Sequence, residues 1–149
     1  MLQSLFYKSF VPSLLLIIFL TSLFSGCVNS SNESQNTRDD NKWPDTPVLV
    51  TDATMDELIR TYPIFIVDCW AAWCGPCLTM APIIEDLAKE TKGTFVFGKL
   101  NIDENPRMPV NYTIEVIPTF LVFKNGVLVD RIVGAMSKDL FLEKIRPYQ

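Results

Sequence analysis

The chain contains no histidine. That absence excludes Cys-His and Ser-His nucleophile pairs and every imidazole metal site, so any thiol chemistry must be activated by other means. Basic runs are missing too. The 13 Lys and Arg stand against 17 Asp and Glu, for a formal net charge of −4 and a pI near 4.8. With no Lys/Arg cluster, nucleic acid is not expected as a partner. The cysteines Cys27, Cys69, Cys74 and Cys77 lack the second close Cys or His pair that a zinc or iron–sulfur site needs, so no metal is expected. No internal repeat is present. At 149 residues, 48% of them apolar and 11% aromatic, the chain has room for one ordinary domain plus an extension.

What is present is concentrated in Trp70-Ala71-Ala72-Trp73-Cys74-Gly75-Pro76-Cys77. Two thiols stand three residues apart, after an apolar run that reads as a buried strand and before a helical pattern. Cysteines so placed can close a small-ring disulfide and open it again. The helix that follows aims its first backbone N–H groups and the positive end of its dipole at the nearer sulfur, which favours thiolate. This is the physical basis of thiol–disulfide exchange.

The N-terminal extension sets the location. Lys8 and the free amine precede an uncharged stretch, Ser9 to Gly26, with the apolar core Leu14 to Leu20. The stretch is slightly short for a membrane-spanning helix and long for a minimal signal core. Its end, Leu23-Phe24-Ser25-Gly26-Cys27, resembles the lipobox of prokaryotic lipoproteins, with Phe24 where an aliphatic residue is usual. Residues 1–27 are thus expected to be a signal peptide or membrane anchor. Cys27 is the expected lipidation site, and an uncleaved anchor is the alternative. Either reading tethers the domain to the cell membrane, facing outside the cytoplasm. A lone lipid chain binds only marginally, so stable attachment would need two. Residues 28–42 hold almost nothing apolar and cannot offset the entropy of ordering, so they read as a disordered polar linker. The folded domain is expected over 43–149.

Within it, Val48 to Val50 is a short strand candidate. Thr54-Met55-Asp56-Glu57 reads as a capping box opening a helix to about Thr61. The nearly continuous apolar run from Ile64 to Trp70 suits a central strand covered on both faces. A helix is expected from the CxxC to about Lys92, with Met80, Ile83, Ile84, Leu87 and Ala88 as its apolar stripe and Pro82 kinking it. Thr94 to Ile102 reads as a third strand, and a short helix follows Pro106. Thr119 to Phe123 and Val127 to Val133 flank an Asn125-Gly126 hairpin signal. Ser137 caps a last helix with Leu140, Phe141 and Ile145 on one side. The order β-α-β-α-β-α-β-β-α predicts an α/β domain, a mixed central sheet with helices on both faces.

From about Trp43 to Gln149 the chain resembles thioredoxin. The resemblance rests on Val67-Asp68, Trp70, Trp73-Cys74-Gly75-Pro76-Cys77 and Ala81-Pro82. It continues through Lys99-Leu100-Asn101-Ile102-Asp103, Ile117-Pro118-Thr119, Lys124-Asn125-Gly126 and Val133-Gly134-Ala135. It implies the thioredoxin fold and a Cys74–Cys77 redox disulfide. Cys74, nearer the helix start and the more exposed, would be the nucleophile, and Cys77 would resolve the mixed disulfide. Asp68, an acid in an apolar strand, would accept the proton of Cys77. Lys99 matches the lysine that pairs with that acid, with a purely structural ion pair as the alternative. Pro118 falls at the cis-proline position. Trp73, Gly75, Pro76, Ile102, Ile117, Pro118, Gly134 and Ala135 match the shallow rim that holds substrate, and Trp70 packs in the core. Two departures stand out. Cys69 replaces a phenylalanine and reads as a small buried hydrophobe. Leu78 replaces a basic residue, removing a cation near the site.

The expectation is therefore a protein-disulfide reductase, membrane-tethered, monomeric and without a bound cofactor. Its substrates are protein disulfides, and a membrane or other reductase must supply its electrons. An extracytoplasmic oxidase or isomerase, a reductant for cytochrome maturation and a non-catalytic docking module are the alternatives.

Overall fold

The computed structural model describes residues 43–149. The expected signal or anchor segment, the expected lipidation site Cys27 and the expected polar linker all fall outside these residues. Among the described residues no helix is long and apolar enough to cross a membrane.

The run Ile64–Trp70 forms β2, and six of its seven residues are buried. It lies mid-sheet in the order β1-β3-β2-β4-β5. The flanking strands are β1 (Val48–Val50), β3 (Val96–Asn101), β4 (Thr119–Lys124) and β5 (Val127–Val133). β1 and β3 run parallel to one another and β3 runs parallel to β2, whereas β4 is antiparallel to β2 and β5 to β4. The helices are α1 (Met55–Thr61), α2 (Gly75–Glu90), α3 (Arg107–Asn111) and α4 (Lys138–Ile145), followed by a 3-10 turn at Arg146–Tyr148. The thioredoxin-type order expected from the sequence is the order observed.

Strand alternation divides the core in two. Ile64 and Ile66 join Met80, Ile84 and Leu87 of α2 and Phe141 and Ile145 of α4. Phe65, Val67 and Cys69 turn the other way, to Met55 and Ile59 of α1 and Met108 of α3. Gly98 in β3 lets the second layer close, because a Cβ there would stand 2.5 Å from Val50 and 2.6 Å from Phe65.

Several local details differ from expectation. Thr54 makes no capping bond to α1 and is itself helical, at φ −99° and ψ −14°. Its hydroxyl instead accepts from the Thr51 amide at 3.0 Å, while the Thr51 hydroxyl accepts from the Thr54 amide at 3.2 Å. The reciprocal pair forms one turn earlier than the motif suggests. α2 runs through Pro82 as one helix and stops at Glu90; a turn over 91–94, with Gly93 at φ +87°, delays β3 to Val96. Ser137 does cap α4, accepting from the Leu140 amide at 3.4 Å. Leu140 itself points outward and is 44% exposed, while Phe141 and Ile145 are buried. The hairpin matches its signal, since Asn125 and Gly126 both have positive φ, as a type I′ turn requires.

Two links outside the sheet place the remaining pieces. The Asp52 carboxylate accepts from the Arg107 and Met108 amides, each at 3.2 Å, and the Asp52 amide donates to Asn105 Oδ1 at 2.8 Å. At the other end, Trp43 packs against the α1/α3 layer and Asp45 meets Lys92, just past the C-terminal end of α2, at 3.8 Å.

Candidate active site

β2 delivers the chain into the turn that carries the dithiol. Cys74 and Cys77 are joined by a disulfide, S–S 1.98 Å and Cα–Cα 5.3 Å. Cys74 is the N-cap of α2 in extended backbone, and its Sγ accepts from the Cys77 amide at 3.2 Å. Gly75 and Pro76 form the first turn, where a proline forfeits no hydrogen bond, and no acidic residue stands there to oppose a thiolate. Both cysteines are almost covered, Cys74 at 4% exposure and Cys77 at 2%. Exposure therefore hardly separates them. Position does: the sulfur of Cys74 lies at the helix start, among the free N–H groups, while Cys77 sits a turn inside.

The surroundings come from three other loops. Ile102 and Ile117 pack against Ala71, Cys74 and Cys77. The Ile117–Pro118 peptide is cis, and Pro118 is buried. The Pro118 carbonyl accepts from the Gly134 amide at 2.9 Å, with Gly134 at φ +91°, so the start of the last loop is tied to the proline. Ala135 follows as an exposed residue. Trp73 stands 69% exposed over the site, its indole N–H donating to Asp103 Oδ2 at 2.9 Å. Beside Gly75, the space a Cβ would take is open to 4 Å. Leu78 adds apolar surface at 54% exposure.

Asp68 lies on the β2 face that α2 covers and is 1% exposed; its Oδ1 has no hydrogen-bond partner. Burial raises its carboxyl from the ordinary 3.8 to about 7, with the Lys99 charge partly opposing the rise. Lys99 stands opposite Asp68 in the β2–β3 register. Its ammonium does not close a contact pair with Asp68: among the described residues the ion pairs are Asp45–Lys92 and Glu90–Lys138. Lys99 Nζ lies 5.2 Å from the Trp70 ring centroid, at a groove of about 230 Å3 shared with Pro47, Leu49 and Glu104. From there the ammonium acts on Asp68 through space, without the desolvation that a buried contact pair would cost. Trp70 is half-buried and packs against the cysteine cluster.

Cys69 is a free, fully buried thiol on the opposite face, its Sγ 3.8 Å from the Val67 carbonyl. Burial first, and then the Asp68 charge, push its pKa upward, against a smaller pull from Arg131. It cannot supply thiolate at neutral pH. Among the described residues no three His, Cys, Asp or Glu converge as metal ligands. Two contributors went unassigned at the sequence level. Asp103 holds Trp73 from 30 residues away, and the Asp52–Asn105 link fastens the loop before α1 to the start of α3. Neither has a local signal, since each depends on partners the fold brings together.

Comparison with known proteins agrees with this geometry. Residues 46–147 match the family model described as Thioredoxin. The chain is 44% identical over 89 residues to Thioredoxin 2 of Chlorobaculum tepidum, covering 60% of this chain and 82% of that one. It is 46% identical over 102 residues to the chloroplastic Thioredoxin M-type of Pisum sativum, covering 67% and 59%. Among solved structures it is similar to a mutant thioredoxin from Halobacterium salinarum NRC-1. That match has a TM-score of 0.66 and 30% identity, over 70% of this chain and 92% of the other.

Proposed function

The chain belongs to the thioredoxin family and is a disulfide oxidoreductase acting on proteins, and from that premise we propose that it works outside the cytoplasm, tethered to the membrane, as a reductant. Cys74 and Cys77 carry the reaction. The Cys74 thiolate attacks one sulfur of a substrate disulfide, and the other leaves as thiolate. Cys77 then gives its proton to Asp68 and attacks Cys74 Sγ. The second substrate thiol is released, the Cys74–Cys77 disulfide re-forms, and two electrons have passed to the substrate. The observation that carries this reading is the Cys74 sulfur at the N-cap of α2, accepting from the Cys77 amide, with Ile117 packed against the cysteine pair.

The other roles follow from position. Asp68 suits a proton acceptor because its carboxyl, at about 7, exchanges protons near neutrality. Lys99 holds it within that range. Trp73, Gly75, Pro76, Ile102, Ile117, Pro118, Gly134 and Ala135 form the rim that receives an extended substrate. No bound cofactor is needed, because the electrons reside in the dithiol, and the protein acts as a monomer. The electrons are replenished by a reductase reachable from outside, for which a membrane electron-transfer protein is the fitting class. Residues 1–27 act as leader or anchor, with Cys27 the lipid attachment point, and 28–42 act as linker to the domain at 43–149.

The test is a full-length Cys77→Ser chain expressed in cells. The expected result is a set of reductant-sensitive adducts at Cys74, found in the membrane fraction and composed of exported proteins. Adducts confined to cytoplasmic proteins would overturn the location. A folded chain that traps nothing would overturn the dithiol mechanism.

A further inference from the structure

Beside the cis-proline lies a groove of about 400 Å3, lined by Thr113, Glu115, Val116, Thr119, Arg131 and Val133. We propose that this groove is a specificity subsite of the same reaction, taking an acidic side chain that flanks the target cysteine in an extended segment of the substrate protein. The proposal rests on the substrate rim assigned above and adds the substrate chemistry.

Continuity with that rim is the first argument. Val116 immediately precedes Ile117–Pro118, and Val133 immediately precedes Gly134. The two valines are 55% and 51% exposed. Thr119 Oγ1 donates to the Val116 carbonyl at 2.7 Å, Thr119 pairs with Val133 across β4 and β5, and Gly134 N–H meets the Pro118 carbonyl. A chain lying extended across Ile117 and Gly134 therefore meets the groove within a residue or two, at about 3.3 Å per residue. Two valine walls suit the aliphatic stem of the arriving side chain.

Charge is the second. Arg131 Nη1 donates to the Thr113 carbonyl at 2.7 Å, which fixes the guanidinium in the groove. Its fork has five N–H donors, and among the described residues no carboxylate lies within ion-pair distance of it. The adjacent Asp130 is committed elsewhere, to Tyr148 Oη at 2.8 Å and to the Arg131 amide. Glu115 also lines the groove but is exposed, so water and salt screen it more than they screen the half-buried Arg131. Arg131 is thus the one cation among the groove's lining residues, and its guanidinium is held in place there.

Backbone conformation is the third. Thr113 sits at φ +49°, a left-handed conformation that a β-branched residue seldom adopts. Its carbonyl is the one that anchors Arg131, so the unusual backbone and the fixed cation are one arrangement.

The experiment uses the full chain and three disulfide-bridged synthetic peptides that differ only beside one cysteine, in Glu, Gln or Lys. Bis(2-hydroxyethyl) disulfide serves as an uncharged substrate too small to reach the groove. The Glu peptide should exceed the Lys peptide by about tenfold in kcat/KM, carried mainly by KM and shrinking with added salt. Arg131→Gln should bring that ratio close to one, whereas Arg131→Lys should keep part of it. The ratio is internal to each variant, so it does not depend on how much of the protein is folded. Equal rates for the three peptides, or a preference that survives Arg131→Gln, would overturn the subsite. Failure of the unaltered chain to turn over the small disulfide would overturn the dithiol reading instead.

Discussion

Asp68 shows how far the fold can alter a single residue. An aspartate in the unfolded chain titrates near 3.8, and burial lifts this one to about 7 in spite of Lys99. Between those values the folded protein holds a proton that the unfolded chain has released. The stabilisation from this group is complete below the unfolded pKa, falls as pH rises, and is lost once pH has passed through about 7. The difference amounts to about 4 kcal/mol. Asn does not titrate, so an Asp68→Asn chain should match the wild type's pH trend below 4, gain on it as pH rises through about 7, and hold that gain above. Denaturant unfolding across that range measures the gain, and parallel curves for the two chains would refute the assignment. Cys69, the next residue, shows the opposite use of burial. Its raised pKa keeps it a thiol and leaves the redox chemistry to the pair in α2.

Among the elements, α3 depends most on one distant side chain. It is five residues long, with no capping side chain of its own, and its first amides donate to Asp52 instead. Asp52→Ala should cost about 1–3 kcal/mol, since it removes charge-assisted bonds and leaves two donors unmet. Hydrogen exchange at Arg107 and Met108 should rise with it, and unchanged protection there would show that the link is dispensable. Such partners are what a sequence conceals. Asp52 and Asn105 lie 53 positions apart, and Trp73 and Asp103 lie 30 apart, so no local pattern joins them. Local physics was legible. The apolar run of β2 announced burial on both faces, Asn125-Gly126 announced the hairpin, and Cys74-Gly75-Pro76-Cys77 announced a thiol pair at a helix start. Where two local signals competed, reading failed. Thr51 and Thr54 are both able to cap, and the structure uses them on each other. Leu140 lies one position off the buried stripe of α4, a distinction that hydrophobicity alone does not draw.

At the scale of the whole molecule, the packing of Trp43 bears on where the domain begins, and the proposed N-terminal limit at Trp43 can be tested by truncation. Its ring is half-buried against the α1/α3 layer, ahead of the three-residue β1. A chain beginning at Trp43 should unfold at the same denaturant midpoint as the full chain. One beginning at Val48 should lose about 1–3 kcal/mol with the indole contact. Equal midpoints for both would place the boundary later. The ion pair of Asp45 with Lys92 adds little stability at the surface, but it marks where the chain joins the domain. Lys92 lies beyond the C-terminal end of α2, and the disulfide caps the opposite end, 16 residues away along the helix. At 1.5 Å per residue that separation is about 24 Å. A surface that holds the protein by its N-terminal side, whether a bilayer, an electrode or a chromatography bead, therefore grips the pole remote from the sulfurs. Attachment at that pole keeps the point of fixation itself from covering the thiols.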